Sequence, residues 1–341
     1  MRLRFLLLLV VMLSVGCASQ PTAPVLSVED GTLYTALRDA SASVLKDGRI
    51  AGSGAFIDGQ GTFLTAAHVV HNTEHRLELL LPGGRVYPAT VLARDLGADL
   101  ALLQLVEEPV SPGSPEGGAA PVATPDAWLP LASTAPSAGA SVYLYGAPAM
   151  YRDLMLPGRI AADGPRYNHQ GANDCYLHSV HLAGPTPPGI SGGCWVNPQG
   201  EIIGVQCSHI GSDTATTGMA FIAPLDDILR LVAAREDQPA ATLGLQVVSL
   251  WSQAYGYTHQ FPPGTTGVAI HRILEGGPGA KAELPKDVVV THVNGQPTPD
   301  VNAFMDIVRA QSPGDAVALR TIAPGSHAVE TFSVTVGELV W

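Results

Sequence analysis

Three short segments of the chain combine side chains that could cleave an acyl bond. Leu64-Thr65-Ala66-Ala67-His68-Val69-Val70 offers a histidine, Asp95-Leu96-Gly97-Ala98-Asp99-Leu100 a carboxylate, and Pro188-Gly189-Ile190-Ser191-Gly192-Gly193 a hydroxyl set among glycines. A serine hydroxyl is a weak nucleophile until a base takes its proton. An imidazole serves as that base when a buried carboxylate fixes its tautomer and stabilises its charged form. His68 is therefore the candidate base, Asp99 its orienting partner and Ser191 the nucleophile. Glycines around Ser191 allow backbone N–H groups to converge on a developing oxyanion. Each residue alone has an ordinary role open to it, in a turn, a loop or a core. Three contexts, their order along the chain and their strand settings agree, and that agreement carries the assignment.

Rival chemistry is weaker. His68, His71 and His75 stand at i, i+3 and i+7, a spacing that could present a metal site on one helix face. No carboxylate completes a His-Glu-x-x-His pattern, and Asn72-Thr73 ends any helix early, so no metal and no cofactor is expected. Cys175, Cys194 and Cys207 fit no zinc spacing, and an oxidising compartment would allow one disulfide among them. A two-residue turn within Val196–Ile202 would set Cys194 opposite Ile203, a poor geometry for pairing with Cys207, and the connectivity stays open.

These residues need a scaffold, and the rest of the chain describes one. Its 341 residues suffice for two domains; 46% are apolar and 14% charged, which excludes a disordered or fibrous protein. With 37 glycines and 28 prolines the chain is turn-rich and leans to β structure. A net charge of −12 with scattered basic residues argues against a nucleic-acid partner.

Residues 1–17 carry two arginines, nine apolar residues from Phe5 to Leu13 and then small ones, which reads as an export signal too short to span a bilayer. Residues 18–29 form a polar tether. Short β-like runs recur at Gly52–Asp58, Arg76–Leu81, Val86–Ala93, Leu100–Leu105, Ser141–Tyr145, Tyr176–Leu182, Ile202–Cys207 and Met219–Pro224. Residues 107–126 read as a linker between two halves of this β region, Leu225–Glu236 as a closing helix, and Asp237-Gln238-Pro239 as a domain boundary. Beyond Thr242, Val268–Ile270 and Val288–Val293 look like strands, and Asn294-Gly295 like a tight hairpin turn. Thr298-Pro299-Asp300 starts a helix whose Val301, Phe304, Met305 and Val308 share one apolar face. Trp251, Tyr255, Tyr257 and Phe261 lie in a long loop, either packed on its own small core or walling a groove.

At Leu64–Val70, Asp95–Leu105 and Gly189–Gly193, preceded by Gly52-Ser53-Gly54-Ala55-Phe56, the chain resembles trypsin-like serine proteases of the HtrA/Deg type. Residues 30–236 are similar to their protease domain, and residues 242–338 to the PDZ domain they carry. The resemblance implies a mostly β protein, with a chymotrypsin-like double β-barrel followed by a small α+β PDZ domain. It implies His68, Asp99 and Ser191 as catalytic residues, Gly189 and Ser191 as oxyanion-hole donors, and unfolded polypeptides as substrates. Leu243-Gly244-Leu245 resembles the loop that holds a peptide C-terminus. Ser14-Val15-Gly16-Cys17 resembles a lipobox. It implies lipidation at Cys17 and a place in the cell envelope or periplasm on an outer-membrane lipid anchor, with no other membrane contact. A homo-oligomer is a further expectation of the family.

Two departures bear on activity: Ile190 stands where the family has Asn or Asp, and Cys194 where it has proline. They keep open a second reading, a protease-like scaffold that binds peptides through its PDZ domain without cutting them. In trypsin-like folds the residue six before the serine lies at the base of the specificity pocket; here it is Pro185, with Cys207, Ser208 and His209 expected on the other wall. No acid awaits a basic side chain, so cleavage after small or medium apolar residues is expected.

Overall fold

The computed structural model describes residues 27–340, apart from 28, 30, 72–74, 107–124, 148–150, 152, 172 and 213–214. The export signal with Cys17, most of the tether and nearly all of the 107–126 linker lie outside the described residues. Among the described residues no helix is long and apolar enough to cross a membrane.

A first helix, α1 (Thr32–Ala40), buries Leu33, Leu37 and Ala40 and leads into a closed six-stranded barrel. Its strands are β1 (Ser41–Lys46), β2 (Arg49–Phe56), β3 (Thr62–Thr65), β4 (Leu77–Leu80), β5 (Val86–Asp95) and β6 (Leu100–Leu105), in the order β1-β2-β3-β6-β5-β4. One turn of helix, α2 (Ala67–Val70), follows β3. The continuous apolar run of β6 is buried because the strand lies centrally between β3 and β5. Neither α1 nor β3 stands out in the sequence: β3 has four residues, too few for alternation to show.

A second set of strands comprises β7 (Ser141–Gly146), β8 (Leu154–Ile160), β9 (Arg166–Gln170), β10 (Cys175–Ala183), β11 (Cys194–Val196), β12 (Ile202–Ser212) and β13 (Ala215–Pro224). Their order is β13-β12-β11-β7-β8-β10-β9, and an added pairing of β13 with β10 closes six of them into a second barrel. β9 pairs only with the first half of β10, so these two project as a hairpin. Helix α3 (Leu225–Ala234) then buries Leu225, Ile228 and Leu231, and ends as Arg235 enters the left-handed region at φ 53°.

The hairpin around Asn197 differs from its expected form. Val196 pairs with Ile202, and a bulge follows, so Cys194 sits opposite Val205 and not Ile203. Asn197 causes this: its backbone N–H bonds the Glu201 carbonyl, and its side chain accepts from the backbone of Gln199 and Glu201, making a longer loop. Cys175, Cys194 and Cys207 are all buried free thiols. Burial pushes the Cys175 thiol up to about 11 and Cys194 to about 12.

The C-terminal unit has a two-stranded ribbon of β14 (Ala241–Thr242) with the last strand, and a main sheet. That sheet holds β15 (Leu245–Ser249), β16 (Val268–Ile273), β17 (Val289–Val293), β18 (Gln296–Pro297), β19 (Ala316–Ile322) and β20 (Val329–Thr335), with β15 on one edge. Two single-turn helices, α4 (Tyr255–Thr258) and α5 (Pro278–Lys281), lie in its loops. Asn294 and Gly295 both take positive φ, as the two-residue turn between β17 and β18 requires. Helix α6 (Val301–Arg309) starts where Asp300 Oδ1 accepts the Ala303 N–H at 2.9 Å, and it buries Phe304, Met305 and Val308 against the sheet. In the long loop Phe261 and Tyr257 pack with Leu250, Ala269 and Val289, while Trp251 and Tyr255 stay 78% and 75% exposed.

Candidate active site

His68 stands in the one-turn helix after β3, and Asp99 in the turn between β5 and β6. β3 and β6 are paired, with Thr65 opposite Ala101, so the two residues emerge side by side at one end of the barrel. The Asp99 carboxylate, 2% exposed as a residue, accepts the His68 backbone N–H at 2.8 Å on one oxygen and lies 2.7 Å from His68 Nδ1 on the other. The Asp99 carbonyl in turn accepts the Ala67 N–H at 3.1 Å. These contacts hold Asp99 in the left-handed region, at φ 55°, which is uncommon for a non-glycine residue. With Nδ1 donating to the carboxylate, Nε2 of a neutral His68 is the basic atom. Burial pulls the imidazole's proton affinity down, but the charge and hydrogen bond of Asp99 outweigh it and leave its pKa above the ordinary histidine value.

Ser191 comes from the second barrel, in the loop before β11. It reaches His68's neighbourhood through Gly52: a Cβ there would lie 2.6 Å from the Ser191 carbonyl and 2.7 Å from a Val69 methyl. Glycine at 52 is thus a condition of bringing the two segments together. Among the described hydrogen bonds none joins the Ser191 hydroxyl to His68. The loop is fastened on both sides: Ser53 donates its N–H to the Ser191 carbonyl, and Gln206 exchanges backbone bonds with Gly192 and Gly193 at 2.8 and 2.9 Å. The Gln206 side chain accepts from Trp195 Nε1 and donates to the Ser208 carbonyl. Ile190 is buried among Leu144, Trp195 and Ile222, and Cys194 packs in the other core with Leu64 and Val205.

The expected pocket residues are spread out. Pro185 is exposed, and its neighbour Thr186 is buried with an unpartnered hydroxyl. Ser208 and His209 are half-buried on β12, and Ser208 donates to Gln170 Oε1 at 2.7 Å. Cys207 turns its thiol to the Val205 carbonyl at 3.2 Å and the Ala98 carbonyl at 3.6 Å. It therefore backs the Asp99 turn, and burial holds its pKa well above the usual thiol range. His75 Nδ1 lies 2.6 Å from Asp47 Oδ2. Leu243-Gly244-Leu245 stands at the entry of the edge strand β15, with Gly244 at φ 63°. Ser53 and Thr65 lie inside the segments that carry the resemblance, and Gln206 and Tyr176 inside expected strands, but nothing in the sequence marks the contacts they make.

Residues 52–205 match the trypsin-like peptidase domain. The Serine protease PepD of Mycobacterium tuberculosis is 26% identical over 84% of this chain, and the Serine protease Do-like HtrA of Lactobacillus helveticus 26% over 85%. A Do-like protease of Arabidopsis thaliana is 25% identical over 81%. The chain spans 61%, 72% and 65% of these relatives' own lengths, in that order. The solved structure of the HtrA-type protease AlgW with a tripeptide shares the fold over 90% of this chain and 96% of that one, with a TM-score of 0.61 and 20% identity. A serine endoprotease from Yersinia pestis aligns over 90% and 97%, with a TM-score of 0.58 and 20% identity. The chain thus carries a trypsin-like peptidase domain and is similar, along about four fifths of its length, to HtrA- and Do-type serine proteases.

Proposed function

We propose that the protein is an exported serine endopeptidase that cuts unfolded polypeptides through an acyl-enzyme. The observation that carries this reading is the Asp99 carboxylate, which holds both the backbone N–H and the Nδ1 of His68. His68 Nε2 takes the Ser191 Oγ proton as Oγ bonds to the scissile carbonyl carbon. The oxygen that becomes negative meets the N–H groups of Gly189 and Ser191. His68 then returns the proton to the leaving amine, and water repeats the sequence on the ester. Since the base works only when neutral and Asp99 raises its pKa, the rising limb of activity lies above about pH 6.5. Ile190 and Cys194, the departures that favour a non-cleaving scaffold, are each buried in one of the two cores.

The C-terminal unit is proposed as a PDZ domain that takes peptide C-termini between Leu243-Gly244-Leu245, the edge of β15 and α6. With no acid near Pro185, cleavage falls after small or medium apolar residues. Lipidation at Cys17 would tether the enzyme to the outer membrane. A fluorophosphonate probe tests the central claim: it should label the purified protein and fail to label Ser191→Ala. A folded wild-type protein that takes no label would reject the enzyme reading in favour of the scaffold.

A further inference from the structure

One residue of the first barrel grips the nucleophile loop twice. Ser53, 1% exposed on β2, donates its backbone N–H to the Ser191 carbonyl at 2.8 Å and its hydroxyl to the Gly189 carbonyl at 3.0 Å. These are the two residues whose N–H groups face the oxyanion in the proposed mechanism. Peptide units are planar, so where an N–H points depends on how successive planes are turned about each Cα. Gly189 sits at φ 98°, a region open to glycine without a Cβ penalty, and the side chain next to it is the apolar Ile190. The loop therefore depends on an outside restraint, and Ser53 holds the peptide planes that follow Gly189 and Ser191, each joined through a single Cα to the plane that carries the oxyanion-facing N–H. Thr65 braces it, donating Oγ1 to the Ser53 carbonyl at 2.8 Å. A Cβ on Gly192 would run into that same Thr65 hydroxyl and Ser53 carbonyl, so the loop is seated directly on the pair.

We propose that Ser53, braced by Thr65, is a positioning residue that aims the oxyanion-binding N–H groups and acts only through Gly189 and Ser191. This rests on the acyl-transfer reading above. The test uses the full chain as wild type, Ser53→Ala and Thr65→Val, with a peptide substrate, a peptide boronate whose tetrahedral adduct places an oxygen on those N–H groups, and thermal melting. Ser53→Ala should lower kcat and boronate affinity together by about tenfold, short of the ~10²–10³ expected for losing a donor itself, with KM within about twofold. Thr65→Val should show the same pattern at about threefold. Unchanged kcat and boronate affinity in Ser53→Ala overturn the assignment. So does a parallel loss of KM, boronate affinity and melting temperature, which marks general loosening. A wild-type chain that neither turns over nor takes the fluorophosphonate label overturns the acyl-transfer reading itself, and the Ser53 assignment with it.

A separate observation concerns the edge of β15. Val247 donates its N–H to Tyr176 Oη at 2.8 Å, and the Tyr176 hydroxyl donates back to the Val247 carbonyl at 2.5 Å. Tyr176 belongs to the projecting β9–β10 hairpin, and its ring is buried with Leu245, Val247, Phe304, Met305 and Val308. Arg309 of α6 reaches the Tyr176 carbonyl at 2.7 Å, Asn302 accepts the Tyr167 N–H at 2.9 Å, and Arg272 pairs with Asp174. A strand added to β15 needs the Val247 N–H and carbonyl, and both are taken.

We infer that this hairpin is a built-in occupant of the peptide groove, which a peptide enters only by displacing Tyr176; this rests on the PDZ reading. Its test is a labelled decapeptide ending in Leu-Val-Val, as free acid and as C-terminal amide, titrated into wild type and Tyr176→Phe. Losing the hydroxyl should raise the open fraction, so that the acid binds Tyr176→Phe about tenfold tighter while amide exchange at Val247 quickens. Equal affinities, or unchanged exchange, overturn the occlusion. If exchange quickens but neither form binds, or acid and amide bind alike, the PDZ reading falls and the occlusion with it.

Discussion

The cleft at Ser191 and the groove at Val247 solve the same problem, holding polar groups ready in a buried place, in opposite ways. At the proposed catalytic site the side chains are held by neighbours and left open at the atoms that would work: Asp99 grips Nδ1 of His68, whose side chain is 32% exposed. At the groove the backbone groups are consumed by another part of the same chain. A side chain can be fixed at one atom and free at another, whereas a strand edge offers only N–H and C=O groups, which are costly to bury unpaired. The proposed catalytic residues can therefore stand waiting; a buried strand edge needs a cover.

The sharpest way to break this contrast is Ser191→Ala, which should cut peptidase turnover by ~10⁴-fold or more without altering melting or the β15 edge. Turnover near wild type in a pure sample would remove the cleft from the comparison. Next in size is Asp99→Asn, expected to cost ~10³–10⁴ in kcat by releasing the tautomer of His68. Because Asp99 raises the His68 pKa, its removal should also move the rising limb of the pH–rate profile to lower pH, and a limb that stays or moves up contradicts the assigned pairing. On the other side of the contrast, Phe304→Ala should destabilise the C-terminal unit by about 3–5 kcal/mol. Fluorophosphonate labelling of Ser191 should persist, since Phe304 packs in the core of the C-terminal unit, which the strands of the second barrel touch through Tyr167 and Tyr176 of the projecting hairpin. Loss of labelling at temperatures where the barrels remain folded would show that the two regions do not stand apart. The smallest effect is Asp300→Ala, which removes the α6 cap at Ala303 and should cost about 1 kcal/mol by chemical denaturation.

Much of the candidate site was legible where chemistry and punctuation lie within a few residues. His68 follows β3 within three positions, Asp99 sits in a tight turn between β5 and β6, and Ser191 stands among glycines whose flexibility marks the loop. Capping at Asp300, the Asn294-Gly295 turn and the apolar face of α6 were written locally for the same reason. The register of Cys194 was missed because Asn197 captures its own loop backbone and lengthens it, a side-chain choice that the bare turn pattern does not show. The pocket was the least legible part, since the side-chain direction at Cys207 depends on what packs beneath it.

By itself the sequence pointed to candidate reacting residues and determined many of the runs that pair as strands, since periodicity, capping and glycine spacing act between residues a few positions apart. Only the tertiary structure decided that Ser53 meets Gly189 across 136 positions and that Tyr176 meets Val247 across 71. A hydroxyl looks the same in the chain whether it faces water, holds an oxyanion loop or fills a strand edge. Its partner is chosen when barrel closure and domain packing bring distant carbonyls within its reach, where an unpaired buried carbonyl would cost more than the bond.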